Sequence, residues 1–332
     1  MALCRYTCYA LFLDVKLGGE MSELVSVIIP SYNHEKFIQS VLLSIYNQSY
    51  KDIELIVVDD CSKDKTYEIA YKLCSDRRFK SRFKNLIVKR NEQNVGAHAN
   101  INKGISLSSG DFIAIVNSDD LYHISRIEKL VNKFKENEKS YFFAFTNYAF
   151  IDENGQFLDS HPLYVKLQYI LKNDIFQLPH PWFIFLQTNI GLSTGNFFFS
   201  RKLFETVGKF MNLKYCHDFD FVLQSLRYTD LVFIDEPLYY YRIHSANTFS
   251  SVYDLRFVET EIVLTRYFRT VEFEEVINLN APCRRNYPLL FEFYIKKFYL
   301  DSYYKKALIG YSPVHRVVNK EIFRRISPSE EE

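Results

Sequence analysis

The sequence predicts an α/β protein, with a mostly parallel, Rossmann-like sheet flanked by helices and a helical C-terminal extension. Three observations carry that expectation. Over residues 23–120, short apolar runs alternate with segments of helical periodicity, the pattern of β-α-β units. The main apolar runs end abruptly in polar residues: Ser31, Tyr32 and Asn33, then Asp59 and Asp60, then Asn117, Ser118, Asp119 and Asp120. Open α/β sheets bind ligands just beyond the carboxyl ends of their strands. Past residue 250 the apolar spacing is helical.

Residues 25–30 read as the first strand, stopped by Pro30. Apolar side chains at 37, 38, 41, 42 and 45 set a helix over 37–46. Residues 53–58 form a second strand, and Ser62 or Asp64 is placed to cap a helix over 66–74. A third strand at 85–89, a turn at 91–96 and a helix over 98–107 follow. The continuous apolar run 112–116 suits a strand covered on both faces. Beyond it the pattern predicts a helix at 126–137 and a strand at 141–151 with a hairpin turn at Asn154 and Gly155. An irregular Pro- and His-rich stretch spans 156–190, where Trp182 is a candidate acceptor platform. Next come a strand at 196–200, a helical turn at 202–207 closed by Gly208, a helix over 218–228, and a strand at 231–235 turned by Glu236 and Pro237. Helices over 255–268 and 287–308 complete the pattern, with Glu330–Glu332 as a frayed end. The organisation expected is an extension outside the fold at 1–22, a main domain at 23–250 divided at residue 120, and the helical extension at 251–332.

A net charge of +1 on 332 residues gives no electrostatic reason to bind nucleic acid. Aromatic residues make up 17 % of the chain, which leaves two readings: a Phe/Tyr-rich core, or a surface facing lipid or sugar. The six cysteines lack zinc-site or CxxC spacing and are expected to be reduced thiols of a cytoplasmic protein. No apolar run approaches the ~20 residues of a membrane span. Residues 1–13 have some signal-peptide character, but Arg5 interrupts them and no convincing cleavage site follows. The first strand–helix turn carries neither GxGxxG nor a Walker A loop, which argues against dehydrogenases and P-loop enzymes. Acids and amides stand there instead, as suits a nucleotide held through a metal.

Asp119 and Asp120 focus that argument. Neighbouring carboxylates repel unless something positive sits with them, and a hard divalent cation carrying phosphate would supply the charge. Helix capping near Leu121 is the structural alternative.

Taken together, several motifs in order resemble family 2 glycosyltransferases of the GT-A fold. Residues 25–33 (VSVIIPSYN) look like the family's opening strand and donor loop, and 56–64 (IVVDDCSKD) like its VVDDxSxD segment. Asn94 to Gly96 with Asn102 to Gly104, residues 110–120 (GDFIAIVNSDD), Thr194 to Asn196 through Gly208 to Phe210, His217 with Asp218, and Tyr241 to His244 match the later segments. The match covers about residues 25–250. It implies an inverting, metal-dependent transferase using a nucleoside-diphosphate sugar, a UDP-sugar favoured, with Mn2+ or Mg2+. The acceptor implied is a hydroxyl of a glycan or lipid-linked carbohydrate, and the class hexosyl- or N-acetylhexosaminyl-transferase.

By that resemblance Asp218 is the general base, with Asp220 a nearby competitor and helix capping the alternative role. Pro30, Tyr32, Asn33, Glu35, Asp59, Asn94, Gly96 and Asp119 are expected on the nucleotide-sugar. Asp59 would accept from a ring N–H of the base, and Asp119 would meet the ribose or diphosphate. Asp120, with His244, is expected on the metal, and Asn196, His217 and Arg242 on the acceptor side. Two departures stand out. Asn117 replaces the usual first Asp of the DxD-type motif, and Ile101 replaces an Arg beside the nucleotide, leaving Arg242 or His244 to meet phosphate charge. These departures keep open a non-catalytic nucleotide-sugar or glycan binding module. The basic, aromatic segment 287–308 either packs on the core or contacts the inner face of a membrane.

Overall fold

The computed structural model describes residues 23–137, 139–245 and 253–310; the expected extension at 1–22 and the frayed end lie outside them. β1 (Val25–Ser31), β2 (Ile53–Asp59), β3 (Asn85–Arg90) and β4 (Phe112–Ile115) are parallel. They are linked by α1 (Ile38–Tyr46), α2 (Thr66–Ser75) with the short α3 (Arg77–Lys80), and α4 (Ala97–Ser106). Every residue of β2 and β4 is buried, as continuous apolar runs covered on both faces require. α1 turns Ile38, Val41, Leu42 and Ile45 inward at helical spacing. α4 crosses β1 so closely that a Cβ on Gly104 would overlap the Ile28 side chain. Pro30 lies inside β1 rather than ending it, beyond Ile28, the last residue paired with β4. A missing N–H there costs no bond to that neighbour.

The second half adds β5 (Leu121–Tyr122), α5 (Arg126–Asn137), β6 (Phe143–Ile151), α6 (Pro162–Lys172), β7 (Phe198–Ser200), α7 (Arg201–Val207), α8 (His217–Ser225) and β8 (Leu231–Arg242). The eight strands form one sheet, ordered β3-β2-β1-β4-β7-β6-β8-β5. β7 is antiparallel to β4 and β6, β8 parallel to β6, and β5 antiparallel to β8. α9 (Tyr253–Phe273), α10 (Pro288–Lys297) and α11 (Asp301–Leu308) follow.

The structure departs from the sequence pattern in three elements. The irregular stretch contains α6, which starts with Pro162 in its first turn, where a missing N–H is harmless, and buries Leu167 and Leu171. Strand β8 runs through Glu236 and Pro237 because a register shift against Thr146–Tyr148 absorbs the proline. The single helix expected over 287–308 is divided at Tyr299, whose φ of 57° lies outside helical backbone.

Much of the aromatic surplus is core. Phe142, Phe143, Phe145, Phe150, Phe183, Phe185, Phe197 and Phe198 are among the largest fully buried side chains. Phe210 and Phe221 stack with ring centroids 4.4 Å apart beneath the start of α8. Trp182, the suggested acceptor platform, belongs to this packing, with ring contacts to Phe145, Phe185 and His180.

Candidate active site

The carboxyl ends of β1, β2 and β4, the N-terminus of α4, the end of β8 and the start of α8 supply the site residues. The loop after β1 is sewn to the loop after β2. Asn33, at φ 52°, accepts from Lys63 N (2.8 Å) and donates from its own N–H to Ser62 Oγ (3.0 Å). His34 N donates to Thr66 Oγ1 (2.7 Å), Glu35 N to Asp64 Oδ2 (3.0 Å), and Lys65 N to Glu35 Oε2 (2.9 Å). Asn33 and Glu35, expected on the donor, therefore shape the loop that would hold it. Tyr32 is the exposed aromatic side chain of this loop.

Asp59 does not stand open to a base. It is fully buried and accepts from Ser62 N (2.9 Å) and from the Ser31 and Ser62 hydroxyls, with the Arg90 guanidinium at 3.5 Å. Asp60, which the sequence reading left without a role, accepts from Val95 N and Gly96 N, both at 2.9 Å, and from Asn91 Nδ2 at 2.7 Å. It holds the turn in which Gly96 takes φ 84°, while Asn94 Nδ2 approaches the Asp60 carbonyl at 3.4 Å. Ile101, standing where Arg was looked for, is core, 1 % exposed.

The acid pair is where structure corrects sequence most sharply. In an extended segment side chains alternate faces, which would put Asn117 with Asp119 and against Asp120. Strand β4 ends at Ile115, however, and residues 117–120 form a turn closed by Asp120 N donating to Asn117 O (3.2 Å), so alternation does not apply. Asn117 Nδ2 donates to Asp120 Oδ2 (3.0 Å). Asp120 also accepts from the Tyr239 hydroxyl and from Arg242 N (2.8 Å), and it is 0 % exposed. Burial, then the neighbouring Asp119 charge, pushes its carboxyl well above the ordinary range. Both its oxygens are thus engaged within the protein, which does not fit the expected role as ion ligand.

Asp119 has the opposite surroundings. His244 Nε2 lies 3.0 Å and His34 Nε2 3.8 Å from its Oδ2. Against its own desolvation, the His244 hydrogen bond and the His34 charge hold it below the usual range. Ligand atoms of His34, Asp119 and His244 lie within 4.8 Å of one another. Ser118 Oγ sits 2.7 Å from His34 Nδ1, which leaves Nε2 for the cluster. Two imidazole nitrogens and a carboxylate, one ring oriented by an outer hydroxyl, form a donor set that fits a divalent cation. His34 was missed because a lone His in a loop carries no spacing signal; its place directly after Asn33 at a strand end was the available clue.

Two expected acceptor-side residues are interior. Arg242 is 3 % exposed; it donates to the carbonyls of Asp119 (2.7 Å), Asp152 (2.8 Å) and Glu153 (3.1 Å) and lies over the Phe37 ring. It braces the acid turn instead of facing a phosphate. Asn196 is fully buried, bonded to Thr146 and to the Arg126 guanidinium (2.8 Å). Gly195 beside it leaves room for Tyr239 and Asn117 that a Cβ would occupy.

At the head of α8, Asp218 accepts from Asn189 Nδ2 (2.9 Å) and Phe219 N (2.7 Å). Desolvation raises its carboxyl from 3.8 to about 7. The Tyr241 hydroxyl is pushed up by burial and then by the charges of Asp120, Asp119 and Asp218, which places it within electrostatic reach of all three. His217 is buried against Phe210, its imidazole held down to about 4 by burial and then by His98, so it is neutral at physiological pH. Asp220 is not a rival base: it is buried and paired with Arg266 of α9.

The family model described as Glycosyl transferase family 2 matches residues 26–208. The chain belongs to that family. Among relatives, this family 2 chain is 29 % identical over 288 residues to a glycosyltransferase of Rickettsia typhi, covering 85 % of this chain and 83 % of the relative. It is 34 % identical over 136 residues to TuaG of Bacillus subtilis, named as a teichuronic acid biosynthesis glycosyltransferase, covering 41 % and 51 %. Its fold is similar to S. aureus TarS residues 1–349 in complex with UDP-GlcNAc, with TM-score 0.59, 20 % identity and coverage of 91 % and 77 %. It is also similar to the mannosyltransferase PcManGT from Pyrobaculum calidifontis in complex with GDP-Man and Mn2+, with TM-score 0.55, 14 % identity and coverage of 89 % and 75 %. The architecture is that of GT-A glycosyltransferases, and family membership supports transferase activity.

Proposed function

We propose that the protein is an inverting hexosyl- or N-acetylhexosaminyl-transferase that moves a sugar from a nucleoside diphosphate to a hydroxyl of a glycan or lipid-linked carbohydrate. The observation that carries this reading is Asp218. It is a carboxylate at the head of a helix, held by Asn189 and Phe219 N, with its pKa raised to about 7. A general base works best when its pKa lies near the operating pH. In the reaction Asp218 takes the acceptor hydroxyl proton while that oxygen forms a bond to the anomeric carbon. The opposite bond, to the phosphate oxygen, breaks, and its electron pair leaves with the diphosphate. Attack from the face opposite the leaving group inverts the centre.

His34, Asp119 and His244 would hold the cation. Bound there, a divalent ion supplies charge neutralisation at the leaving diphosphate. Two imidazoles favour Mn2+ over Mg2+, which prefers oxygen ligands. The folds of TarS and PcManGT, whose complexes hold UDP-GlcNAc and GDP-Man, support a nucleotide-sugar donor. UDP remains the favoured base carrier, and Tyr32 is the exposed side chain for packing on the base.

The test is transfer by Asp218→Asn. Activity is expected to fall about 10²- to 10⁴-fold with donor binding retained, and wild-type rates are expected to decline as pH falls through about 7. Full transfer by the Asn variant overturns the assignment.

A further inference from the structure

We propose that α10 and its flanks form a docking surface for an anionic lipid bilayer. The helix is two-sided. Phe291, Tyr294 and Ile295 are buried, and the Tyr294 hydroxyl donates to Phe183 O (2.8 Å), so one face is fixed to the body. Leu289, Leu290 and Phe293 emerge on the other, 83 %, 48 % and 62 % exposed. Positions i, i+1 and i+4 put them on one side of the helix. Tyr299, just past its end, is exposed as well. Such a cluster of large apolar side chains in water marks an interaction site.

Charge decides the occupant. Arg284, Arg285, Lys296 and Lys297 are all exposed around this apolar group. Between Arg284 and Tyr299 the sole acid is Glu292, and it is paired with Arg284 at 3.3 Å. Lys297 Nζ lies 5.8 Å from the Phe293 ring centroid and 5.4 Å from that of Phe298, so its charge stands beside the apolar surface. Apolar groups enter the acyl boundary while lysine stems lie along it and carry their charges to the headgroups. Cations near an anionic leaflet are attracted to its surface. No helix of the described residues is long and apolar enough to cross a membrane. The surface also lies outside the matched family segment, 26–208. One face of the basic, aromatic segment thus packs on the core, and the other is offered outward.

The experiment is flotation of the full chain with phosphatidylcholine vesicles, with and without phosphatidylglycerol. Recovery is expected only with phosphatidylglycerol and is expected to fall as salt rises. Leu289→Ser with Phe293→Ser, and separately Lys296→Glu with Lys297→Glu, are each expected to cut recovery about tenfold or more. Melting temperature and UDP-sugar binding should be unchanged, because these side chains face outward. Three results overturn the proposal: no flotation with anionic vesicles, recovery of both double variants equal to that of wild type, or a solution dimer that Leu289→Ser with Phe293→Ser disperses in a protein that never floats.

Discussion

Asp119 and Asp120 are adjacent in sequence and opposite in circumstance. One faces two histidines; the other is enclosed by Tyr239, Asn117 and Arg242 N. Asp119→Ala is expected to abolish Mn2+ binding read by electron paramagnetic resonance, and His34→Ala to weaken it about tenfold or more. Asp120→Asn should retain Mn2+ binding but lower the melting temperature, since an amide cannot accept on both sides. Retained Mn2+ affinity in Asp119→Ala, with loss in Asp120→Asn, would return the ion to Asp120. Asp218 carries a second consequence. Its folded pKa is raised, so its ionisation costs stability progressively as pH rises from 3.8 to about 7. Asp218→Asn should therefore melt higher than wild type by a margin that opens over that window and levels off above it. A variant that melts lower throughout would show the site is not strained by its charge.

At the scale of elements, the C-terminal helix α9 is joined to the start of α8, which carries Asp218. Glu259 of α9 is fully buried, and its carboxylate accepts from Lys214 N (2.8 Å), Tyr215 N (2.8 Å) and Cys216 N (2.9 Å). That is the turn immediately before His217 and Asp218, and two residues beyond Asp218 the Asp220 side chain is paired with Arg266 of α9. α9 therefore sets where α8 begins, and with it where Asp218, the proposed base, points. Glu259→Gln removes one acceptor oxygen and leaves a buried N–H short of a partner, a cost of about 1–3 kcal/mol. The kinetic expectation is a kcat lowered about tenfold through misplacement of Asp218, with donor KM unchanged. A rise in donor KM at constant kcat would place Glu259 with the donor instead. Nothing in the sequence marked Glu259, because its partners are backbone N–H groups 43 to 45 positions away.

Across the whole molecule, the sheet is tied together by buried acids that do no chemistry. Glu54 of β2 is fully buried and accepts from Ser26 Oγ, Ser109 N and Gly110 N, fastening the chain just before β4. Although desolvation opposes it, these hydrogen bonds hold its carboxyl below 4.5. Its contribution is complete above that ordinary value and is lost as pH falls through the lower folded one. Glu54→Gln should lower stability by about 1–3 kcal/mol at neutral pH, and the deficit should shrink in acid. A pH-independent deficit would assign the effect to packing alone. The parallel half of the fold was legible from sequence because strand and helix periodicity record burial directly. The same local signal led to the ends of β1, β2 and β4; motifs in order pointed to the family, and that resemblance pointed to Asp218 at the head of α8. It did not reveal α6 among prolines, or the passage of β8 through Pro237, where tertiary pairing overrides local preference. Above all it could not divide the work between two neighbouring acids. Tyr239 and Arg242 reach Asp120 from 119 and 122 positions away. Periodicity tells which side chains are buried, but a carboxylate's role depends on which donors surround it, and only the folded chain brings those donors together.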